Sequence, residues 1–194
     1  MDESGDVRVT RMPLLFADTL GRVPALLESS DPGARARLVP RTFEDDAEEA
    51  QWQRLATPEL VHLIASRAEL VRADLATMTW EEDGPGDTFS LTIPAAHRAA
   101  FEAALNGAVQ SLYGSSGLGP AELAREPGEL GDLEKDIALL RIRWLTAFLG
   151  HLLLVQERAA AGEPASYEES DEDEGYGDDE DDAGETGAPE RGTQ

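Results

Sequence analysis

The longest apolar segment of the chain is DLEKDIALLRIRWLTAFLGHLLLVQERAA, residues 132–160. Its large apolar side chains recur every three or four residues, which is the spacing of one face of an α-helix. The expected core face consists of Leu133, Ile137, Leu140, Trp144, Phe148, Leu152 and Val155. Other elements must cover so long an apolar face, so we expect a buried helix in a mainly α-helical domain.

Two arginines interrupt this segment. Arg141 and Arg143 leave only the 12 residues Trp144–Val155 as an unbroken run, and a bilayer span needs about 20 apolar residues. The sequence therefore predicts a core helix and no membrane anchor. Residues 1–6 are acidic, whereas a secretory signal begins with basic residues. We expect a cytoplasmic protein.

The same two arginines predict a contact between helices. Arg141 and Arg143 are two positions apart and project in nearly opposite directions from a helix. Neither has an acidic residue three or four positions away. Because an unpaired buried charge is costly, we predict that at least one of them forms an ion pair with another helix.

Upstream of this segment the sequence alternates between helix and strand patterns. Val7–Arg11 and Phe89–Ile93 have the period of two that is typical of strands, and we expect them to pair as a small two-stranded β-ribbon. In total we expect about five helices. One of them runs from Thr57 to Trp80, and another has its core face at Phe101, Leu105, Val109 and Leu112.

The charge divides the chain into two parts. The whole chain carries a net charge of −24, and residues 163–194 account for 14 acidic residues and one basic residue, a net of −13. Their only large apolar side chains are Tyr167 and Tyr176. Such a segment cannot bury enough apolar surface to offset the entropy of ordering it. We predict a single helical domain over residues 1–162, flexible over residues 1–6, followed by a disordered acidic tail over residues 163–194.

No motif for catalysis, a cofactor or a metal is found. The chain has no cysteine, which excludes disulfides and thiolate sites. His62, His97 and His151 do not have the spacing of a metal site, so we expect structural histidines. The glycine-rich segment 114–119 lacks the lysine of a phosphate loop and is interpreted as a helix end and connector. The acidic tail does not match a calcium-binding loop.

Arg35, Arg37 and Arg41 form the only local basic cluster. They can contact an acidic partner or the acidic tail of the same chain, although an ordinary surface loop is the simpler interpretation. Acidic residues are so frequent that no pair of carboxylates is singled out for catalysis.

Several short motifs resemble a known family. The segments DPGARARLVP (31–40), TFEDDAEE (42–49) and WQRLAT (52–57) contain an aspartate–proline turn, an acidic pair and an aromatic-x-arginine-leucine-x-threonine junction. The segments FSLTI (89–93) and FEAALN (101–106) add a short strand and a helix with an aromatic-x-x-x-leucine-asparagine motif. Over most of residues 7–160 the chain resembles the bacterial domain of unknown function 2017 family. That family has no assigned activity, and its genes often lie beside the gene for the adaptor of the Clp protease. The resemblance implies a cytoplasmic accessory role near regulated proteolysis.

These observations favour a non-enzymatic interaction or regulatory protein. Its partner would be a protein, either one with a basic surface or a Clp-associated component, and neither a nucleic acid nor a membrane. The candidate contact residues are in the tail: Asp171, Glu172, Asp173, Glu174, Asp178, Asp179, Glu180, Asp181 and Asp182. The tail can instead serve only to keep the protein soluble. The alternatives are an acidic nucleic-acid mimic that binds a basic partner, and an enzyme without a recognisable motif. The identity of the partner and the oligomeric state stay open.

Overall fold

The computed structural model describes residues 5–81 and 87–161 of the chain. The helices are α1 (Leu14–Gly21), α2 (Val23–Leu27), α3 (Pro32–Leu38), α4 (Asp46–Leu55), α5 (Thr57–Leu75), α6 (Arg98–Ser115), α7 (Pro120–Leu123) and α8 (Leu133–Ala160). The strands are β1 (Val7–Pro13), β2 (Thr79–Glu81) and β3 (Thr88–Ile93), and a 3₁₀ turn at Ala95–His97 leads into α6. The predicted mainly α fold with a small antiparallel sheet is confirmed.

The sheet has one strand more than the sequence predicts. As expected, β1 and β3 pair antiparallel, with Val9 opposite Leu91. The additional strand β2 pairs with the other edge of β3 and places Trp80 opposite Phe89. The prediction that the preceding helix runs to Trp80 is therefore wrong: α5 ends at Leu75, although Met78 continues its helical spacing. Pairing with β3 satisfies backbone groups that would otherwise have no partner, and this tertiary effect overrides the local spacing.

The first described residues are bonded to the fold. The backbone carbonyl of Gly5 accepts a hydrogen bond from Arg98 Nη2 at 3.1 Å. The carboxylate of Asp6 accepts one from the backbone N–H of Ala95 at 2.9 Å. Gly5 and Asp6 are therefore held against the start of α6, whereas the flexibility predicted for residues 1–4 concerns a segment outside the described residues. The predicted disorder of residues 163–194 concerns a segment outside the described residues.

Helix α6 lies at the centre of the core and packs against α2, α3, α5 and α8. All four residues predicted for its core face are buried: Phe101, Leu105, Val109 and Leu112. The prediction succeeds because the apolar side chains of α6 are concentrated where the neighbouring helices cover them.

Helix α8 forms as predicted but turns a different face to the core. Its buried residues are Leu139, Ile142, Leu145, Phe148 and Leu152. Only the last two of these belong to the expected face, and Leu133, also expected there, is 74% exposed. The segment is apolar on more than one side, so spacing alone cannot show which side α6 covers.

The length and composition of α8 also meet the requirement for crossing a membrane. Leu133–Arg158 is the only helix among the described residues that does so. The core helix of a soluble protein meets the same requirement, and Leu145 and Leu152 are fully buried against the rest of the fold. This feature is therefore weak evidence for a membrane span.

Helices α3 and α6 cross with their backbones in contact. A Cβ atom built on Gly33 would lie 2.1 Å from the carbonyl oxygen of Gly114, and one built on Gly114 would lie 2.1 Å from that of Gly33. Any larger residue would clash with backbone at either position. Gly114, which the sequence analysis placed in the connector, thus belongs to α6 and fixes α3 against it.

Candidate functional site

Helix α4 is fixed mainly by hydrogen bonds. The Asp45 carboxylate accepts hydrogen bonds from the backbone N–H groups of Ala47 and Glu48 at 2.9 and 3.0 Å, which caps the helix. The only buried residue of α4 is Glu49. Its carboxylate accepts hydrogen bonds at 2.9 Å from the backbone N–H groups of Thr42 and Phe43. Polar bonds thus tie α4 to the segment that precedes it.

The pKa of Glu49 reflects this bonding. The side-chain amide of Gln53 donates to the carboxylate, and together with the two backbone N–H groups it lowers the pKa of Glu49 below its usual value. Each of these donors favours the ionised form, because a carboxylate accepts hydrogen bonds more strongly than a carboxylic acid. Glu49 is therefore a structural anion that positions the residues around it.

Helix α4 and the loop before it expose apolar side chains to solvent. Phe43, Trp52 and Leu55 are 36%, 37% and 60% exposed. The rings of Phe43 and Trp52 meet edge to face, with centroids 5.9 Å apart. Together with Glu48, Gln51 and Ala56 these residues line an open cavity of about 500 Å³, which we call the α4 cavity. Its volume suits several apolar side chains of a partner.

The surroundings of the α4 cavity are acidic. Arg41 pairs with Asp46 at 2.6 Å and also donates to the backbone carbonyls of Phe43 and Glu44, so its charge is used to fix the loop. Glu44 and Glu48 are exposed, and in the described part of the chain neither side chain has an ion-pair partner. Of the described residues, Glu48 is the only charged one that lines the cavity, so a basic group of a ligand can pair with it there.

The two arginines predicted for an ion pair lie on α8 and do not line the α4 cavity. Arg141 Nη2 is 3.3 Å from the carboxylate of Asp18 in α1, so this ion pair joins two helices. Arg22 and Arg141, with Arg22 the stronger influence, lower the pKa of Asp18. Arg143 pairs with Glu126 in the segment between α7 and α8. Both contacts are therefore architectural.

One of the three histidines, His97, makes a contact that joins two elements. His62 and His151 are exposed. His97 Nδ1 is 2.9 Å from the carboxylate of Asp74, a buried residue of α5. The described residues contain no group of three or more side chains that could hold a metal ion. The pair joins α5 to the 3₁₀ turn, and the sequence analysis missed Asp74 because 22 residues separate the two partners.

Sequence reasoning also missed the α4 cavity. It assigned Trp52 to the core or the edge of the core, as is usual for a tryptophan. The available signal was composition: Trp52 and Leu55 are the only large apolar residues of α4, too few for a helix that contributes to a core. The candidate tail residues 171–174 and 178–182 lie outside the described residues.

Comparison with known proteins gives no counterpart for this arrangement. No family model, curated protein or solved structure matches the chain. The resemblance to the domain of unknown function 2017 family stays a prediction, and function has to be inferred from the geometry.

Proposed function

We propose that the protein is a non-enzymatic interaction module whose contact surface is the α4 cavity. One observation carries the proposal. Phe43, Trp52 and Leu55 are exposed around a cavity of about 500 Å³, on a segment that buries no large apolar side chain of its own. Clustered apolar surface with a polar rim is typical of interaction sites, and aromatic side chains often dominate the energy of an interface.

The polar bonds of α4 support this role because they prevent the apolar side chains from collapsing inward. The carboxylate of Glu49 holds the backbone at Thr42 and Phe43, and Arg41 holds the adjacent loop. These hydrogen bonds hold Phe43 and Trp52 in place, so the two rings do not need to be buried in the core to be fixed. A partner would bury this area and gain about 25 cal/mol for each Å² of apolar surface removed from water.

The acidic rim determines the class of partner. Glu48 lines the cavity and is exposed, so the best ligand is a protein segment with apolar anchors and a lysine or arginine beside them. The resemblance to the domain of unknown function 2017 family adds a biological context. We propose a cytoplasmic accessory role near regulated proteolysis, with the Clp adaptor or a Clp-associated component as the first partner to test.

The test is affinity capture from a bacterial lysate with the full chain, followed by binding titrations of the captured proteins. Leu55→Glu places a charge beside Glu48 in the α4 cavity and should weaken binding of the partner by at least about tenfold, which corresponds to 1.4 kcal/mol. The matched control is Leu133→Glu, since Leu133 is 74% exposed and does not line the cavity. It should leave binding unchanged.

Two results would count against the proposal in different ways. Equal binding by the wild type and both variants would eliminate the α4 cavity as the contact surface. Capture of partners without any Clp component would remove the link to proteolysis and leave the surface itself intact.

A further inference from the structure

Several arginines on α3, α4 and α5 have no carboxylate partner. Elsewhere most basic side chains are neutralised, for example Arg22 by Asp18, Arg72 by Glu28 and Lys135 by Glu122. Among the described residues, no hydrogen-bond, ion-pair or charge partner is found for the side chains of Arg35, Arg37, Arg54 and Arg67. The chain has 40 acidic residues and only 16 lysines and arginines, so this is where its positive charge is available to a ligand.

Two of these arginines line one small pocket. Arg37 of α3 and Arg67 of α5 share it with Asn106 and Gln110 of α6, and its volume is about 160 Å³. We call these four residues the arginine pocket. Guanidinium groups bind carboxylates through paired, charge-assisted hydrogen bonds, and the two side-chain amides supply further donors. The other described residues of the lining have no polar side chain: Leu27, Leu38, Leu60, Ile64, Ala103 and Gly107. A carboxylate would therefore be bound by the four polar residues.

Positive charge continues beside the arginine pocket. A second hollow of about 140 Å³ is lined by Arg35 and shares Leu38 and Ile64 with the first. The carboxylate of this hollow, Glu28, pairs with Arg72 at 2.7 Å, and Arg72 also pairs with Glu69, so among the described residues Arg35 is the arginine left without a partner here. A ligand with several carboxylates in sequence can therefore contact both hollows, one on each side of Leu38.

We propose that the arginine pocket binds the acidic tail of the same chain, residues 163–194. This segment carries a net charge of −13 with two runs of consecutive acidic residues, the complement of the unneutralised arginines. It also has the necessary reach, since a chain of its length, residues 163–194, extends up to about 110 Å, whereas a folded domain of this size has a radius of gyration of about 15 Å.

Attachment to the same chain favours the tail over a free acidic ligand. A segment of the same chain can meet a site at an effective concentration of the order of 1 mM, so even weak contacts are populated. Because Arg37 is exposed, the attraction should be screened strongly by salt. Binding of the tail at the arginine pocket does not involve the α4 cavity. The proposal for the tail and the proposal for the α4 cavity can therefore fail independently.

The experiment uses the full chain with a single spin label. The chain has no cysteine, so Gly177→Cys gives one attachment point between the two acidic runs. At low salt the label should broaden the NMR side-chain amide signals of Asn106 and Gln110. Their intensity should return at about 1 M salt, where the screening length is about 3 Å. It should also return in the Arg37→Gln/Arg67→Gln variant.

Two further variants keep the test decisive. Arg54→Gln removes an arginine that also lacks a partner but does not line the pocket, and it should leave the broadening in place. If the double variant fails to fold, replacing the acids at 171–174 and 178–182 by their amides should abolish the broadening without touching the folded part. Absence of broadening at low salt, or an equal loss of broadening in Arg54→Gln and in the double variant, would overturn the proposal. If the broadening appears only when labelled and unlabelled copies are mixed, the pocket binds the tail of a second molecule. That result would also overturn the proposal.

Discussion

Helices α6 and α4 are held in the fold by opposite means. Seven of the 18 residues of α6 are buried, and all but one of the seven are apolar. In α4 one residue is buried, and it is the carboxylate Glu49. Packing fixes α6, whereas hydrogen bonds to the preceding loop fix α4. A helix fixed by hydrogen bonds can keep its apolar side chains at the surface, and this is why α4 and not α6 offers a contact surface.

The comparison can be tested first by truncating one leucine in each helix. Leu105 of α6 is fully buried and Leu55 of α4 is 60% exposed. Leu105→Ala should lower the free energy of unfolding by roughly 3 kcal/mol, because it removes buried apolar area and leaves a cavity. Leu55→Ala should change it by less than about 0.5 kcal/mol. Urea unfolding monitored by circular dichroism measures both values. A large loss for Leu55→Ala would mean that α4 depends on apolar packing after all.

The contact between α3 and α6 gives the next largest expected effect. Gly114→Ala places a Cβ atom 2.1 Å from the carbonyl oxygen of Gly33, and the helices must move apart. We expect a loss of about 2 kcal/mol in the free energy of unfolding, despite the better helix propensity of alanine. The control is Gly150→Ala in α8, where no atom lies within 4 Å of the added carbon. It should stabilise the protein by up to about 1 kcal/mol. Two stabilising substitutions would show that the backbones do not touch.

The smallest effect concerns the pH dependence of α4. Because its pKa is lowered in the folded protein, Glu49 stabilises the fold above its unfolded pKa of about 4.3. That contribution is lost as the pH falls through the folded pKa. Glu49→Gln should therefore unfold more easily than the wild type at pH 7, and the difference should shrink in acid. Urea unfolding at several pH values measures it.

Its matched control is the exposed neighbour Glu48. Glu48→Gln should cost less stability at pH 7 than Glu49→Gln, since no hydrogen-bond partner of its carboxylate is found among the described residues. If both variants reduced the pH dependence equally, a general charge effect would account for it rather than the bonds of Glu49.

The buried face of a helix could be predicted from the sequence only where a single face of that helix is apolar. The core face of α6 was predicted correctly at Phe101, Leu105, Val109 and Leu112. In α8 several faces are apolar, so Leu133 was expected in the core and is exposed. The strand β2 escaped prediction because only pairing with β3 distinguishes Thr79–Glu81 from a helix end.

The candidate sites were harder to predict than the fold. The lack of a nearby acid suggested a distant partner for Arg141, and Asp18 occupies that position. Arg67 likewise has no acid three or four positions away. Its pocket could not be predicted, because the lining residues come from three helices, α3, α5 and α6. The role of Glu49 depends on backbone N–H groups of an irregular loop, for which no side-chain pattern exists.

The glycine contact between α3 and α6 has a consequence for how the arginine pocket works. Arg37 extends from α3, and Asn106 and Gln110 extend from α6, while Gly33 and Gly114 lock these helices together. The backbone framework of the pocket therefore exists before any ligand arrives. Preorganisation of this kind spares the ligand the cost of rearranging the protein. Capture of an acidic segment should then be limited by diffusion and electrostatic steering rather than by a conformational change.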